Sequence, residues 1–434
     1  MRYVIIGGSA AAISAVESIR RTDDRSTIDL FSDEETALFS RVLLPYYVAE
    51  KLSKPLLNFR SADFFEENSV TPHLGVKVLE INPDERSIVA EDGKYPYDRL
   101  LIATGGNPIV PPIPGVNKPG VSTLKTMADA ERIYNFPARR AVVIGAGSIG
   151  VEASISLQRR GMKVTLLEQL GHVLPTVFDE ESAAIIRKRI EAIGVEVVTG
   201  EKALEFAGAD RVEKVITDNR EIPCELVVMA VGVRPAVELA VKAGLELGSL
   251  GGIKVDNLMR TSRPEIYAAG DVAETYDIAR GTNFINAIWP CAFEQGQVAG
   301  LNMSGTRTAY AGSYRRNSIG NFIGIPAISM GLTQIDSCAA GSAEDEYREI
   351  KRKTKETYRK LILRNGRIIG AIFVGQTQKA GLMSMLLEKQ VDVTDVIPVL
   401  MSNSLSFMDL LPIIRRNADK FPEAEFKEMI DTGL

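Results

Sequence analysis

The chain is poor in the residues that hold metals and build catalytic triads. Among 434 residues there are 2 histidines, His73 and His172, so a histidine metal cage is not expected and no metal site is read. The 3 cysteines, Cys224, Cys291 and Cys338, lie far apart, which excludes a CxxC, an iron–sulfur quartet and a disulfide framework. Long apolar runs are missing too. The longest, 226–241, is interrupted by Arg234, Pro235 and Glu238, so no membrane span is expected. Charge is nearly balanced: the net value is −5 and basic residues are scattered apart from one late run, which argues against nucleic-acid binding. The first residues read as a strand, without a charged segment leading into an apolar one. No signal peptide is therefore expected, and the expected location is cytoplasmic. What remains is a globular composition, 45% hydrophobic and 25% charged, on a chain too long for one ordinary core.

The most informative stretch is 141–168. Ala141-Val142-Val143-Ile144 reads as a strand, Gly145-Ala146-Gly147-Ser148-Ile149-Gly150 as a glycine turn, and the residues to Arg160-Gly161 as a helix. A second strand, Val164 to Leu167, ends on Glu168. Gly145 permits the tight turn, Gly147 lets backbone N–H groups approach a pyrophosphate, and Gly150 allows helix and strand to pack closely. Glu168 falls about 20 residues past the turn, where an acid meets an adenosine ribose. The pattern predicts a dinucleotide site, with Gly145, Gly147, Ser148, Ile149, Gly150, Glu152 and Glu168 contributing to it.

The N-terminus is a degraded copy. Arg2 to Ile6 is a strand, Gly7-Gly8-Ser9-Ala10-Ala11-Ala12 the turn, and Ile13 to Arg20 a helix. Ser9 and Ala12 stand where glycines would be, and Ser32-Asp33-Glu34 closes the next strand with a hydroxyl or a carboxylate for a ribose. Two such units suggest an internal duplication and two nucleotide domains. Leu100 to Gly105 and Val227 to Gly232 echo each other as buried strands ending on small residues. Such ends either line a ligand crevice or make a tight turn. The prolines Pro108, Pro111, Pro112 and Pro114 read as a linker. A third strand ends Ala268-Ala269-Gly270-Asp271, Ala292 to Met303 has helical spacing, and Tyr358 to Val374 alternates around a hairpin signal, Asn365-Gly366.

In this order the motifs resemble the FAD-dependent pyridine nucleotide–disulfide oxidoreductase superfamily, over roughly residues 1–390. The resemblance implies an α/β fold of two Rossmann-like nucleotide-binding domains, glutathione-reductase-like, plus a smaller α+β C-terminal domain. It implies a discontinuous FAD domain (1–110 and 245–313), an NAD domain between them (111–244), and a C-terminal interface domain (314–434). It places FAD on Gly7, Gly8, Ser9, Ala10, Ala11 and Ala12, on Ser32, Asp33, Arg41 and Val78, and on Ala103, Thr104 and Gly105. Gly270, Asp271, Trp289 and Pro290 complete that set, and Val231 and Gly232 join the NAD(H) set. Asp271 is either an acceptor for ribitol hydroxyls or a helix cap. The helix near Ala292 aims its N-terminus at the flavin edge, where negative charge collects on reduction.

One departure narrows the branch. In coenzyme A-disulfide reductases and water-forming NADH oxidases a redox cysteine lies two residues before Leu-Pro-Tyr-Tyr. Here Leu44-Pro45-Tyr46-Tyr47 is present, and the cysteine position is Val42. Phe39-Ser40-Arg41-Val42-Leu43-Leu44 instead resembles the pattern of NADH:rubredoxin reductases and of the flavin portion of NAD(P)H nitrite reductases, whose siroheme and iron–sulfur cysteines are missing here. The implied chemistry is hydride transfer from NADH to FAD, with electrons released to an acceptor protein or redox-complex subunit. Release to oxygen as peroxide is the alternative, and a purely NADH-docking subunit of a redox complex is a third. Cys291 reads as packing or a redox thiol, Cys224 and Cys338 as structural. The basic run Arg348, Lys351, Arg352, Lys353, Lys355, Arg359, Lys360 reads either as a docking rim for an acidic carrier or as a solvated face. Phe407, Leu410, Leu411, Ile413 and Ile414, before Arg415-Arg416, read as a subunit contact, as packing on their own domain, or as a homodimer contact.

Overall fold

The computed structural model describes residues 1–335, 345–422 and 426, without the side chain of Asn321. Cys338 lies outside the described residues. The chain divides into two compact units, 1–171 with 193–276 and 283–313, and 172–192 with 277–282 and 314–434.

The first unit holds two parallel five-stranded sheets of the same plan. One runs in the order Ile266–Ala268, Arg99–Ile102, Arg2–Ile6, Thr27–Ser32, Val70–Leu74. The other runs Val121–Thr123, Leu226–Met229, Arg140–Ile144, Lys163–Glu168, Val195–Thr199. All pairings in both are parallel. Their inner strands are mostly apolar and buried, as expected when both faces of a parallel sheet are covered. Each plan also carries a three-stranded antiparallel meander before its returning strand, 78–96 in the first and 203–223 in the second. The duplication read from the turns therefore extends to four of the five strands and the meander, while the fifth strand follows the rest in the first sheet (Ile266–Ala268) and precedes them in the second (Val121–Thr123). Between the copies, Gly106–Pro108 pairs antiparallel with Val233–Pro235.

The Ala10–Arg20 and Trp289–Met303 helices pack closely through small residues. A Cβ on Gly296 would sit 2.1 Å from the Ala11 carbonyl oxygen, and one on Gly300 would sit 2.5 Å from that of Ala15. The paired positions rise together, so the helices are parallel. The later helix overshoots the start of the earlier one by nearly two turns, on the order of 10 Å. It begins at Trp289, three residues before the Ala292 of the spacing argument, because Pro290 falls in the first turn, where its missing N–H costs nothing.

The second unit is built on a five-stranded antiparallel sheet in the order Arg316–Ser318, Ala327–Gly331, Arg367–Val374, Tyr358–Arg364, Tyr347–Lys353. The Asn365-Gly366 hairpin is present, with both turn residues at positive φ (50° and 74°). The expected alternation is not: both faces of its strands are buried, and Lys360 is only 2% exposed. The 172–192 segment explains why. The Asp179 carboxylate accepts from the Tyr358 hydroxyl at 2.6 Å and pairs with Lys360 Nζ at 3.2 Å, while Glu349 holds the same ammonium at 2.9 Å. Glu181 pairs with Lys351 at 3.3 Å and Lys353 at 3.0 Å. Arg352 donates to the Met401 carbonyl, and Arg359 is buried against Phe373. Three of the run's cations, Lys351, Lys353 and Lys360, are thus ion-paired within their own unit, and Arg359 and Lys360 are buried, while Arg348, Lys351, Arg352, Lys353 and Lys355 remain exposed, as a solvated face would be. The apolar tail is likewise packed inward, with Leu410, Ile413 and Ile414 fully buried in this unit's core, so it does not present a free subunit contact.

Candidate functional site

Both glycine turns sit at the carboxyl ends of central strands. Gly7 N–H donates to the Phe31 carbonyl and Gly145 N–H to that of Leu167, each at 2.8 Å. Both glycines need positive φ, +133° and +95°, and a Cβ would meet the Ala103 oxygen at 2.2 Å in one case and the Ala230 oxygen at 2.5 Å in the other. The echoing strand ends are therefore the walls against which the turns close.

The helices that follow are left open for an anion. Neither Ser9 nor Gly147 makes a side-chain cap, and neither helix has an acid in its first turn. By contrast, the Met127–Asn135 helix is closed by a Thr126–Asp129 capping box. Uncapped N–H groups and the helix dipole together favour a pyrophosphate. Open space stands over Gly105 and Gly147, where an added Cβ would meet nothing within 4 Å.

Glu168 is buried at the end of its strand. Its carboxylate accepts from Ala146 N–H at 2.7 Å and from Leu170 N–H at 2.9 Å, so this acid clasps its own turn. Glu152, on the same helix as the turn, is pushed up to about 7 by burial. Ile149 is exposed; Val231 follows the Ala230 wall and Gly232 holds positive φ. At the first turn the register position of Glu168 belongs to Ser32, whose Oγ accepts from Glu34 N–H at 3.2 Å. Asp33, one residue on, is exposed. Val78 is buried at the head of its meander.

The charge missing beside the first turn arrives from elsewhere. Asp271 follows Gly270 (φ +84°) at the end of the Ile266–Ala268 strand, and burial pushes its carboxyl up to about 6, with Arg41 and Lys125 pulling it back down. Arg41 ion-pairs with Glu34 and donates to the Lys125 carbonyl at 2.9 Å. The Lys125 ammonium is held below its usual range by burial and by Arg41. The Gly270–Asp271 turn is pinned by Gln295, which is 1% exposed: its Oε1 accepts from Gly270 N–H at 2.8 Å and its Nε2 donates to Thr275 at 3.2 Å. A half-buried carboxylate whose charge Arg41 and Lys125 favour, beside an uncapped helix, fits a dinucleotide with a polyol arm.

Lys125 and Gln295 were not among the sequence candidates. Gln295 carried a signal, as a polar residue on the small-residue face of an otherwise tightly packed helix. Lys125 carried none, because its nearness to Asp271 exists only after folding. Thr104 is diverted: its hydroxyl donates to the Ala236 carbonyl at 2.8 Å, tying the two inter-sheet connections together. Trp289 meets Phe59 edge-on at 4.9 Å, and Cys291 beside it is fully buried. Cys224 is a buried thiol pushed up to about 12. Val42 is 52% exposed in the Arg41–Leu43 turn. Among the described residues no cluster of acids, histidines and cysteines could hold a metal, and no helix is long and apolar enough to cross a membrane.

The family model for the pyridine nucleotide-disulphide oxidoreductases matches residues 1–296. The chain belongs to this family. The C-terminal domain model of rubredoxin NAD+ reductase matches residues 319–391. An NADH oxidase of Methanocaldococcus jannaschii is 32% identical over 71% of this chain and 71% of its own length. The epsilon subunit of the NADH-dependent phenylglyoxylate dehydrogenase of Aromatoleum evansii is 29% identical over 93% of this chain and 96% of its own. The solved NAD-dependent persulfide reductase from A. fulgidus superposes with a TM-score of 0.86 at 28% identity, covering 96% of this chain and 84% of that one. As a member of the family the chain is an FAD- and NAD(H)-dependent oxidoreductase.

Proposed function

We propose that the chain takes hydride from NADH and passes the electrons to a separate protein acceptor, without a protein thiol in the path. Val42 carries this reading: a valine at the redox-cysteine position cannot supply a thiolate. FAD, when bound, supplies the redox chemistry by accepting a hydride and releasing electrons. The chain's residues bind, orient and tune.

On this reading residues 1–110 and 245–313 hold FAD, 111–244 hold NADH, and 314–434 form an interface domain. The turn Gly7, Gly8, Ser9, Ala10, Ala11, Ala12 receives the FAD pyrophosphate. Asp271 accepts from the ribitol, with Arg41 and the newly recognised Lys125 offsetting the phosphate charge. Ser32, Asp33, Val78, Ala103, Thr104, Gly105, Gly270, Trp289 and Pro290 shape the rest of the pocket. Gly145, Gly147, Ser148, Ile149, Gly150, Glu152, Glu168, Val231 and Gly232 receive NADH. The near full-length likeness to a dehydrogenase subunit supports a protein acceptor.

The likeness to an NADH oxidase supports a second reading, in which oxygen accepts the electrons. Stopped-flow reduction by NADH without oxygen, followed by mixing with oxygen or with an iron–sulfur or rubredoxin-type carrier, separates the two. The first reading expects the carrier to be reduced at least about tenfold faster than peroxide appears. Replacing Cys224 and Cys291 with alanine should leave reduction by NADH intact.

A further inference from the structure

The Leu44-Pro45-Tyr46-Tyr47 motif is retained although its cysteine partner is gone, and the structure shows what it touches. Residues 38–59 leave the first sheet as an excursion closed at its base: Ser40 N–H donates to the Leu57 carbonyl at 2.8 Å and Phe59 N–H to that of Leu38 at 2.9 Å. One end of the excursion carries Arg41, at the Asp271 cluster. Its short helix, Leu44–Val48, lies against both the Met127–Asn135 helix and the Ser148–Arg159 helix of the second nucleotide plan.

Four side chains make that contact. The rings of Tyr47 and Tyr134 lie 5.1 Å apart, tilted by 30°. The Arg160 guanidinium stands 4.8 Å from the Tyr134 ring centroid and donates through Nη2 to the Tyr134 carbonyl at 2.8 Å. Its Nε pairs with Glu50 at 3.4 Å. Glu50 sits at φ +58°, the left-handed region that a non-glycine residue enters at a cost. Burial and Tyr134 push the Tyr47 hydroxyl up, so that ring stays neutral. Lys54 ion-pairs with Glu131 one turn before Tyr134, and Arg41 donates to the Lys125 carbonyl just ahead of the same helix. Arg160 caps the C-terminal end of the helix whose N-terminus is the Gly145–Gly150 turn.

We propose that Tyr47, Tyr134, Arg160 and Glu50 form a positioning clamp. It holds the second nucleotide plan in register with the excursion that reaches the FAD site, so that bound NADH meets the flavin at transfer distance. These residues act through the two helices and touch no reacting atom. Near-attack geometry is where displacements of an ångström change rates most. The inference rests on the reading that NADH reduces bound FAD.

The test compares Tyr134→Leu and Tyr134→Phe with the wild type. Tyr134→Leu removes the ring that both Tyr47 and Arg160 contact, and Tyr134→Phe keeps it. The clamp predicts that Tyr134→Leu slows NADH reduction of the flavin about tenfold at saturating NADH, with FAD content and NADH affinity within about twofold. The long-wavelength band of the reduced enzyme–NAD+ pair should weaken in parallel. Tyr134→Phe should restore both. In flavin-free protein, hydrogen exchange at the Glu50 and Lys51 amides, bonded to the Tyr47 and Tyr46 carbonyls, should accelerate at least about tenfold in Tyr134→Leu only. If Tyr134→Leu does not fold, Arg160→Met carries the same expectations at about threefold. A wild-type reduction rate and band in Tyr134→Leu, or unchanged exchange in the flavin-free protein, overturns the clamp. If the wild type itself is not reduced by NADH, the underlying reading has failed, and the exchange comparison still judges the clamp.

Discussion

The two glycine turns share a frame and differ in what fills it. Both close against a small-residue strand end, and both head an uncapped helix. The second is self-contained: Gly150 has no room for a Cβ, which would lie 1.8 Å from the Gly145 oxygen, and Glu168 clasps the turn from the next strand. The first tolerates Ala12, lacks an acid in register, and draws Asp271, Arg41 and Lys125 from three other segments. On the proposed assignment the difference follows from residence. A cofactor that stays can be gripped by parts of the chain that assemble around it. A co-substrate that must leave after each turnover is held by one turn and one acid, so its release disturbs nothing else.

The comparison is broken most severely at the third turn position. Gly150→Ala forces helix and strand apart, at about 1–3 kcal/mol. It should lower kcat/KM for NADH roughly 10–100-fold while FAD content, read from flavin absorbance, stays unchanged. The mirror change, Ala12→Gly, should alter neither binding by more than about threefold and should cost only about 0.5–1 kcal/mol of stability. Equal effects at both turns would remove the asymmetry.

Next in size is the acid. Glu168→Gln keeps an acceptor and removes the charge, so the preference for NADH over NADPH should fall by roughly 10–100-fold, measured as a ratio of kcat/KM values. Asp271→Ala should weaken FAD retention by about 1.5–3 kcal/mol, with NADH affinity untouched. The two substitutions should act on separate ligands; crossed effects would contradict the assignment.

The smallest effect is one of pH. Burial raises Glu152 to about 7, so the folded protein binds its proton more tightly than the unfolded chain does. Its contribution is fully present below the unfolded value near 4.5 and is lost as pH rises through about 7. Glu152→Gln should therefore stabilise flavin-free protein above pH 7, by on the order of 1–2 kcal/mol after allowing for solvent access, and leave it unchanged below pH 4.5. Thermal unfolding at several pH values reads this directly.

Local sequence carried the elements whose causes are local. Both turns, the small-residue strand ends, the Asn365-Gly366 hairpin and the Gly270–Asp271 turn follow from residues a few places apart. What was illegible depends on long-range pairing. Lys351, Lys353 and Lys360 of the basic run looked free because their partners, Asp179, Glu181 and Glu349, lie partly in the 172–192 segment, far upstream. Alternation failed at 358–374 because that same segment helps bury charged positions of the sheet. Lys125 and Gln295 reach the Asp271 turn only through the folded strand order, and Thr104, read as a cofactor neighbour, spends its hydroxyl on Ala236.

The central claim is that electrons enter at the flavin and meet no thiol. An oxygen-free titration of the FAD-loaded, air-oxidised protein with NADH, followed by absorbance, tests it directly. One hydride carries two electrons, and a flavin alone stores two. The account predicts complete reduction at about one NADH per FAD, with no thiol released to a thiol reagent. An end point near two NADH per FAD, with new reactive thiols, would show a disulfide in the path and contradict it.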